Sequence, residues 1–293
     1  MNTEIKIKRS VEDGFNELVK KLNPRFSEPE YSEGNLMQIE RRLKETFNMS
    51  YQIKYGSIGH GTHIARYSAI DCFAVMPKES LLEDSYKSLE AILEAMKEDF
   101  PEATLREGRP AIVIQFGGRD SDKHHIVPAY EIGVKNGHDV FGIPGPSGRW
   151  IQACPGGHSA WINKLNDNLN KRLRNMIRVV KAWNYYNDQP LWSFYIELCV
   201  AEYFKSDYSI LFSVDFRNFL NYLHQKNLEP FEGSVGSNEL VYASSVEDKP
   251  VAMARIKNAV EMADKAVRCE QTGNISEAFY WWRKIFNFRF PAF

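Results

Sequence analysis

The sequence predicts an α+β protein of two lobes sharing a central cleft, with residues 1–160 forming a core around a mixed sheet and residues 161–293 a helical lobe. Its 293 residues, 43% hydrophobic and 26% charged, are enough to bury two cores. Strand-like apolar runs alternate with helical patterns in the first half, whereas beyond about residue 160 only helical spacing persists. The glycine-rich stretch between the two patterns, Gly133 to Gly157, reads as a hinge or lid.

Leu36, Ile39, Leu43 and Phe47 recur at helical spacing among charged residues, which is one amphipathic helix. A loop with three glycines, residues 55–68, then leads into the strand formers of AIDCFAVM, which stop at Pro77. Residues 81–100 are helical by period and end before Pro101, and residues 111–117 and 125–132 read as two further strands. In the second half Ile162, Leu165, Leu169, Leu173, Met176, Val180 and Trp183 keep a spacing of three or four, which predicts one long helix. Four more helical runs follow, around 192–204, 214–225, 252–270 and 277–286.

A formal net charge of -1 provides no whole-chain field for a long polyanion, so direct nucleic-acid binding is not expected, while small phosphorylated substrates stay open. The basic cluster Lys171, Arg172, Arg174 and Arg178 is the weak exception, and such clusters are more often a solvated helix face. Cys72, Cys154, Cys199 and Cys269 are widely spaced without a CxxC pair, which points to a reducing cytoplasm. No stretch approaches the roughly 20 apolar residues of a spanning helix, so no membrane is expected. Cys154, His158, His138 and His124 fit no common zinc spacing and are not read as a metal site.

A Gly-Ser pair ahead of a strand lets backbone N–H groups and a hydroxyl approach a triphosphate without a Cβ in the way, and Gly56 and Ser57 hold that place. Alone, such a pair is more often an ordinary turn. On the strand, side chains two apart share a face, so positions 69 and 71 aim together, and two carboxylates there would bridge two metal ions. Only Asp71 is acidic, because position 69 is Ala69.

Gly56-Ser57, then Gly61-Thr62, then an acidic-x-acidic strand at 69 and 71 resembles the pattern of DNA polymerase beta-like nucleotidyltransferases. RWIQACPGGHSAWINKLN (149–166), RLRNMIRVVKAWN (172–184), LWSFYIELCVAEYF (191–204) and WWRKIFNFRFP (281–291) resemble the bacterial cGAS/DncV-like subgroup, the cyclic-oligonucleotide synthases of antiphage defence (CD-NTase, CBASS). The resemblance implies NTP-dependent synthesis of a cyclic di- or trinucleotide messenger with a two-metal Mg²⁺ or Mn²⁺ site. Its NTP substrates would be ATP, GTP or pyrimidine NTPs, and its partners a downstream effector and regulatory defence proteins. It places metal ligands at Asp71 and at Ala69, which stands where an acidic residue is expected and reads as an engineered or inherited loss that impairs the chain.

A third carboxylate would stand where this sequence has His125; an imidazole there could ligate Mn²⁺ or polarise the attacking hydroxyl, or simply face the cleft. Asp120 and Asp122 lie nearby and could supply the missing charge. By the same resemblance Lys181 and Ser193 grip the donor triphosphate and Phe194 stacks a base. Lys181 stands one residue off its apolar stripe, where a charge can reach a cleft, and Ser193 lies in the first turn of its helix. Transfer to RNA, a protein or a small molecule, and a non-catalytic nucleotide sensor, are the alternatives.

Overall fold

The structure, a computed structural model, describes residues 9–23, 27–105, 111–232 and 240–293. In chain order its elements are α1 (Val11–Leu22), α2 (Ser27–Phe47), β1 (Tyr51–Tyr55), the one-turn α3 (Gly56–Gly59), β2 (Ile70–Val75), α4 (Ser85–Lys97), β3 (Thr104–Leu105), β4 (Ile112–Gln115), β5 (Lys123–Lys135), β6 (His138–Pro144) and β7 (Trp150–Ala153). Then come α5 (Pro155–Asn168), α6 (Leu173–Tyr186), α7 (Ser193–Tyr203), α8 (Phe212–Gln225), the two short strands β8 (Phe231–Glu232) and β9 (Leu240–Val241), α9 (Lys249–Gln271) and α10 (Ile275–Ile285). The fold is α+β, with a mixed sheet and a helical C-terminal region. No helix among the described residues is long and apolar enough to cross a membrane.

The chain divides into two compact units. One comprises the described residues of Pro24–Lys164 and Glu232–Leu240, and the other those of Met1–Asn23, Leu165–Phe231 and Val241–Phe293. The expected division at residue 160 counted the first residues with the sheet, whereas α1 belongs to the helical unit. Its sequence explains why: a Ser10–Asp13 capping box starts the helix, and Val11, Gly14, Phe15, Leu18, Val19 and Leu22 form one buried stripe. Phe15 lies 4.9 Å from the ring centroids of both Trp282 and Phe290, and a Cβ at Gly14 would come within 2.9 Å of Phe279 and Phe290. This aromatic cluster anchors the helical unit.

The sheet of the other unit runs β1-β2-β5-β4-β3, with β6 pairing β5 and β7 pairing β6. β2 and β5 are parallel, and the remaining pairs are antiparallel. Because strand side chains alternate, β2 sends Ile70, Cys72 and Ala74 into a core with Leu36, Ile39 and Leu43 of α2 and Leu89, Ile92 and Met96 of α4. Phe73 and Val75 enter a second core with Val127, Ala129 and Phe141 on the opposite face. A strand buried on both faces reads as a continuous apolar run, so Asp71 within it stands out.

Three expectations are corrected. The single long helix is two, α5 and α6, because Asn170 (φ 52°) and Lys171 (φ 62°) adopt left-handed backbone. Asparagine tolerates that conformation, and Asn166 satisfies the break by accepting the Lys171 N–H at its carbonyl (2.8 Å) and the Arg174 N–H at its side chain (3.1 Å). The apolar stripe stays buried across the interruption, which is why periodicity concealed it. The stretch read as a hinge or lid, Gly133 to Gly157, is chiefly the antiparallel strands β6 and β7. Asn136 (φ 52°) and Gly137 (φ 78°) make the two-residue turn between Lys135 and its strand partner His138. The helix expected over 81–100 is the shorter α4, started by the Asp84 carboxylate, which accepts from the N–H groups of Tyr86 (2.8 Å) and Lys87 (3.1 Å).

Candidate functional site

Between β1 and β2 the chain folds back on itself without leaving the sheet unit. Gly56 takes φ +62°, which favours glycine, and a Cβ there would sit 2.7 Å from Oδ2 of Asp71. Both facts select glycine at 56, and the second places the Asp71 carboxylate directly against the loop. Ser57 is buried beside it, and its carbonyl accepts the N–H of Thr62 at 2.8 Å. Gly61 is again left-handed (φ +67°), and the hydroxyl of Ser68 accepts the Ile64 N–H at 2.9 Å, closing the turn just before Ala69. The Gly-Ser and Gly-Thr motifs are thus successive corners of one hydrogen-bonded loop.

Parallel pairing of β2 with β5 puts Asp71 opposite His125. Their side chains meet, Oδ1 of Asp71 lying 2.8 Å from Nδ1 of His125. Both are largely shielded, with side-chain exposures of 20% and 10%. Ala69 lies two residues before Asp71, half-buried, and contributes only a methyl group. The adjacent thiol of Cys72 is pushed up to about 12 by burial and then by the Asp71 carboxylate, so it is no nucleophile at neutral pH.

Asp120 and Asp122 are engaged in their own turn. Lys123 lies 2.6 Å from Asp120, while Arg119 pairs with Asp122 through its guanidinium (3.1 Å) and its backbone N–H (3.1 Å). His124 faces the other side of β5, buried against the Phe116 ring at 4.9 Å, and His158 is buried against His60 at 4.2 Å. With Cys154 and His138 they do not gather as a metal-holding set among the described residues.

In the helical unit Lys181 is buried rather than poised at a rim, and its ammonium donates to the carboxylate of Glu197 on α7. Residue spacing alone missed Glu197; the available signal was a lone acid inside the otherwise apolar run Ile196–Ala201. Ser193 is exposed and is the first residue of α7, as its position predicts, with Phe194 half-buried beside it. The approach to α7 is held by Asn184, which donates to the Leu191 carbonyl (2.8 Å) and accepts the Leu191 N–H (2.9 Å), and by the Trp192 N–H on the Ala243 carbonyl (2.7 Å). The basic cluster is dispersed into local contacts. Lys171 pairs with Asp167, Arg172 with Glu12 and the Phe212 ring, and Arg178 with Asn175, while burial and then Arg174 lower Arg178 to about 10.

A mixed sheet with a Gly-Ser loop leading into an acidic strand, accompanied by a helical C-terminal region, is the architecture of cGAS/DncV-like nucleotidyltransferases. The chain belongs to the Second Messenger Oligonucleotide or Dinucleotide Synthetase family, whose domain model matches residues 10–166, more than half of its length. Over 175 residues it is 29% identical to a probable cyclic nucleotide synthase of Bacillus cereus (strain VD146), covering 57% of this chain and about half (51%) of that relative. Over 279 residues it is 23% identical to the CBASS oligonucleotide cyclase CdnC of Escherichia coli (strain KTE188), covering 87% of each. The solved structure of E. coli MS115-1 CdnC with ATP superposes with a TM-score of 0.68 at 16% identity over 96% of this chain and 99% of that one, which is a likeness of fold.

Such a fold implies two divalent metal ions at the acidic strand. The groups present at the corresponding positions are one carboxylate (Asp71), one imidazole (His125) and one methyl (Ala69). Mg²⁺ demands hard oxygen donors in near-octahedral array, and two such ions cannot share a single carboxylate already bonded to an imidazole. The residues present do not fit a two-Mg²⁺ centre.

Proposed function

We propose that this protein's fold serves NTP-dependent nucleotidyl transfer in the cytoplasm, joining nucleotides into a cyclic di- or trinucleotide second messenger of antiphage defence, and that Ala69 impairs the chain as written. The observation that carries this reading is the fit of Gly56 against Asp71: a Cβ would sit 2.7 Å from Oδ2, so glycine keeps the acidic group packed directly against the Gly-Ser loop. Family membership and the cyclase activities in the relatives' names support the cyclic product, and the ATP in the CdnC structure supports an NTP donor. The product is handed to an effector that reads the cyclic nucleotide.

In this reading Ser57 and its loop hold donor phosphates, Lys181 exchanges Glu197 for phosphate, Ser193 donates from the start of α7, and Phe194 stacks the base. As written, the chain keeps the groups that bind nucleotide and lacks those of a two-metal centre. The test is mass spectrometry of products from labelled NTPs, comparing the chain with its Ala69→Asp form. A cyclic product from Ala69→Asp alone, without an added acceptor, is expected. Equal product from both forms would refute the role of position 69. Product that appears only with added RNA, protein or small molecule selects transfer to that acceptor.

The Asp71–His125 contact favours one other reading, a nucleotide sensor without turnover, since it occupies the remaining acid. Nucleotide binding without turnover by Ala69→Asp, in either Mg²⁺ or Mn²⁺, would select that reading.

A further inference from the structure

From the far end of β5 we infer that two copies of this chain associate, each laying Glu131–Lys135 antiparallel against the same residues of the other. Pairing of β5 with β2 ends at Ala129, whose carbonyl accepts the Met76 N–H (2.8 Å), whereas β5 runs on to Lys135 with β6 alone as its partner. Among the described residues, the backbone of Glu131–Lys135 forms no hydrogen bond on its other edge. Lys135 and His138 flank the two-residue turn and form its hydrogen-bonded pair, so in the next pair Val134 and Asp139 direct their N–H and C=O groups away from each other. Those of Val134 therefore point to the open edge. All five residues are exposed, including the apolar side chains of Ile132 (45%) and Val134 (69%). An exposed apolar edge of this kind is a template for another strand.

The charges select a second copy as the occupant. A twofold axis reverses the strand, so about a centre at Gly133 residue 131 of one copy faces residue 135 of the other. The segment reads Glu-Ile-Gly-Val-Lys, which sets acid against base at both ends, Ile132 against Val134, and two glycines at the centre, where no side chains collide. The ion pair is made twice by symmetry, whereas a register that set Glu131 or Lys135 against itself would repel. The hydroxyl of Tyr51 donates to the Glu131 carboxylate and holds the acid beside this edge. A bulge between Glu131 and Gly133 twists the edge and confines the ladder to these few residues. So short a contact falls below the roughly 1,200 Å² of a standard interface, so the dimer is weak and concentration-dependent.

The experiment is sedimentation equilibrium of the full chain at concentrations rising to about 1 mM, in low and high salt. The average mass is expected to climb from one chain towards two, less steeply in high salt. Lys135→Glu and Glu131→Lys each turn two attractive pairs into two repulsive ones, and each is expected to weaken self-association by at least about tenfold. An equimolar mixture of these two variants is expected to associate as the parent does, because every Glu then faces a Lys of the other chain. Val134→Pro removes the outward N–H at an edge position, where proline is tolerated, and is expected to weaken association without unfolding the chain. If Glu131→Lys does not fold once its Tyr51 contact is lost, Lys135→Glu and Val134→Pro decide the question. The mass of a single chain at every concentration overturns the inference and leaves the charges as a guard on a bare edge. Association unchanged in Lys135→Glu and Val134→Pro, or no recovery in the mixture of folded charge variants, overturns it as well, because the contact then lies elsewhere.

Discussion

Asp71–His125 in the sheet unit and Lys181–Glu197 in the helical unit each pair an acid with a base, in opposite surroundings. The first pair keeps 20% and 10% of its side-chain surface exposed and lies against a loop whose glycine leaves room for the Asp71 carboxylate. The second is buried to 5% and 2%, enclosed by α6 and α7. Burying an ion pair removes both charges from water, and the attraction between them offsets that only while both partners remain. The sheet pair therefore lies beside the candidate phosphate loop, while in the helical pair a ligand phosphate would have to displace Glu197 from Lys181. A lysine of either kind occupies the same place in a helical pattern.

The sharpest way to break this comparison is Lys181→Ala, which strands Glu197 in the interior and is expected to cost about 3–5 kcal/mol of stability in denaturant unfolding. Lys181→Met with Glu197→Leu should recover most of that loss. The proposed phosphate role adds a loss of nucleotide affinity that Lys181→Met with Glu197→Leu does not recover; calorimetric binding that is unchanged in both variants would remove Lys181 from the phosphate site.

Gly56→Ala tests the sheet side. Its left-handed φ and the 2.7 Å approach to Asp71 Oδ2 predict a loss of about 1–3 kcal/mol in unfolding experiments, together with weakened nucleotide binding. An unchanged melting temperature would show that the loop accommodates a Cβ and that Asp71 is not pressed against it. Ser57→Ala is expected to weaken binding of an ATP analogue by about 1.5 kcal/mol, the lower end for a charged hydrogen bond, with little change in stability. Equal affinity would remove Ser57 from the phosphate site.

The smallest effect concerns pH. Burial raises the carboxyls of Asp215 and Glu270, both in the helical unit; the Leu211 N–H opposes the shift at Asp215, and a Ser213 hydrogen bond opposes it at Glu270. A group whose folded value is raised contributes stability that is fully present below its unfolded value and is lost as pH rises through the folded value. Glu270→Gln is therefore expected to reduce the loss of stability between about pH 4 and neutrality. A pH profile of unfolding identical to that of the parent would contradict the burial of this carboxyl.

Much of this was legible in the residues. Runs of strand-forming residues identified β2, β4 and β5, helical spacing identified α2 and the later helices, and the order Gly56-Ser57, Gly61-Thr62, Asp71 pointed to the loop and strand of the candidate site. The Asn136-Gly137 turn was also legible, since Asn-Gly between apolar runs is a strong hairpin signal, but the density of glycines around it suggested a hinge instead. The break between α5 and α6 was hidden because its left-handed residues preserve the spacing of the buried stripe. The place of α1 was hidden too, because an amphipathic helix states which face it buries and not against what.

By itself the sequence determined the local events: the Ser10–Asp13 cap that starts α1, the glycine corners at 56 and 61, and an acid within an apolar strand, each set by the conformational and solvation preferences of a few neighbouring residues. Only the tertiary structure decided the pairings. His125 meets Asp71 because two strands 54 residues apart align in parallel at one register, and Lys181 meets Glu197 because two helices pack face to face. Such contacts depend on the relative placement of distant segments, which burial and hydrogen bonding across the whole chain select, and no local window of sequence contains them.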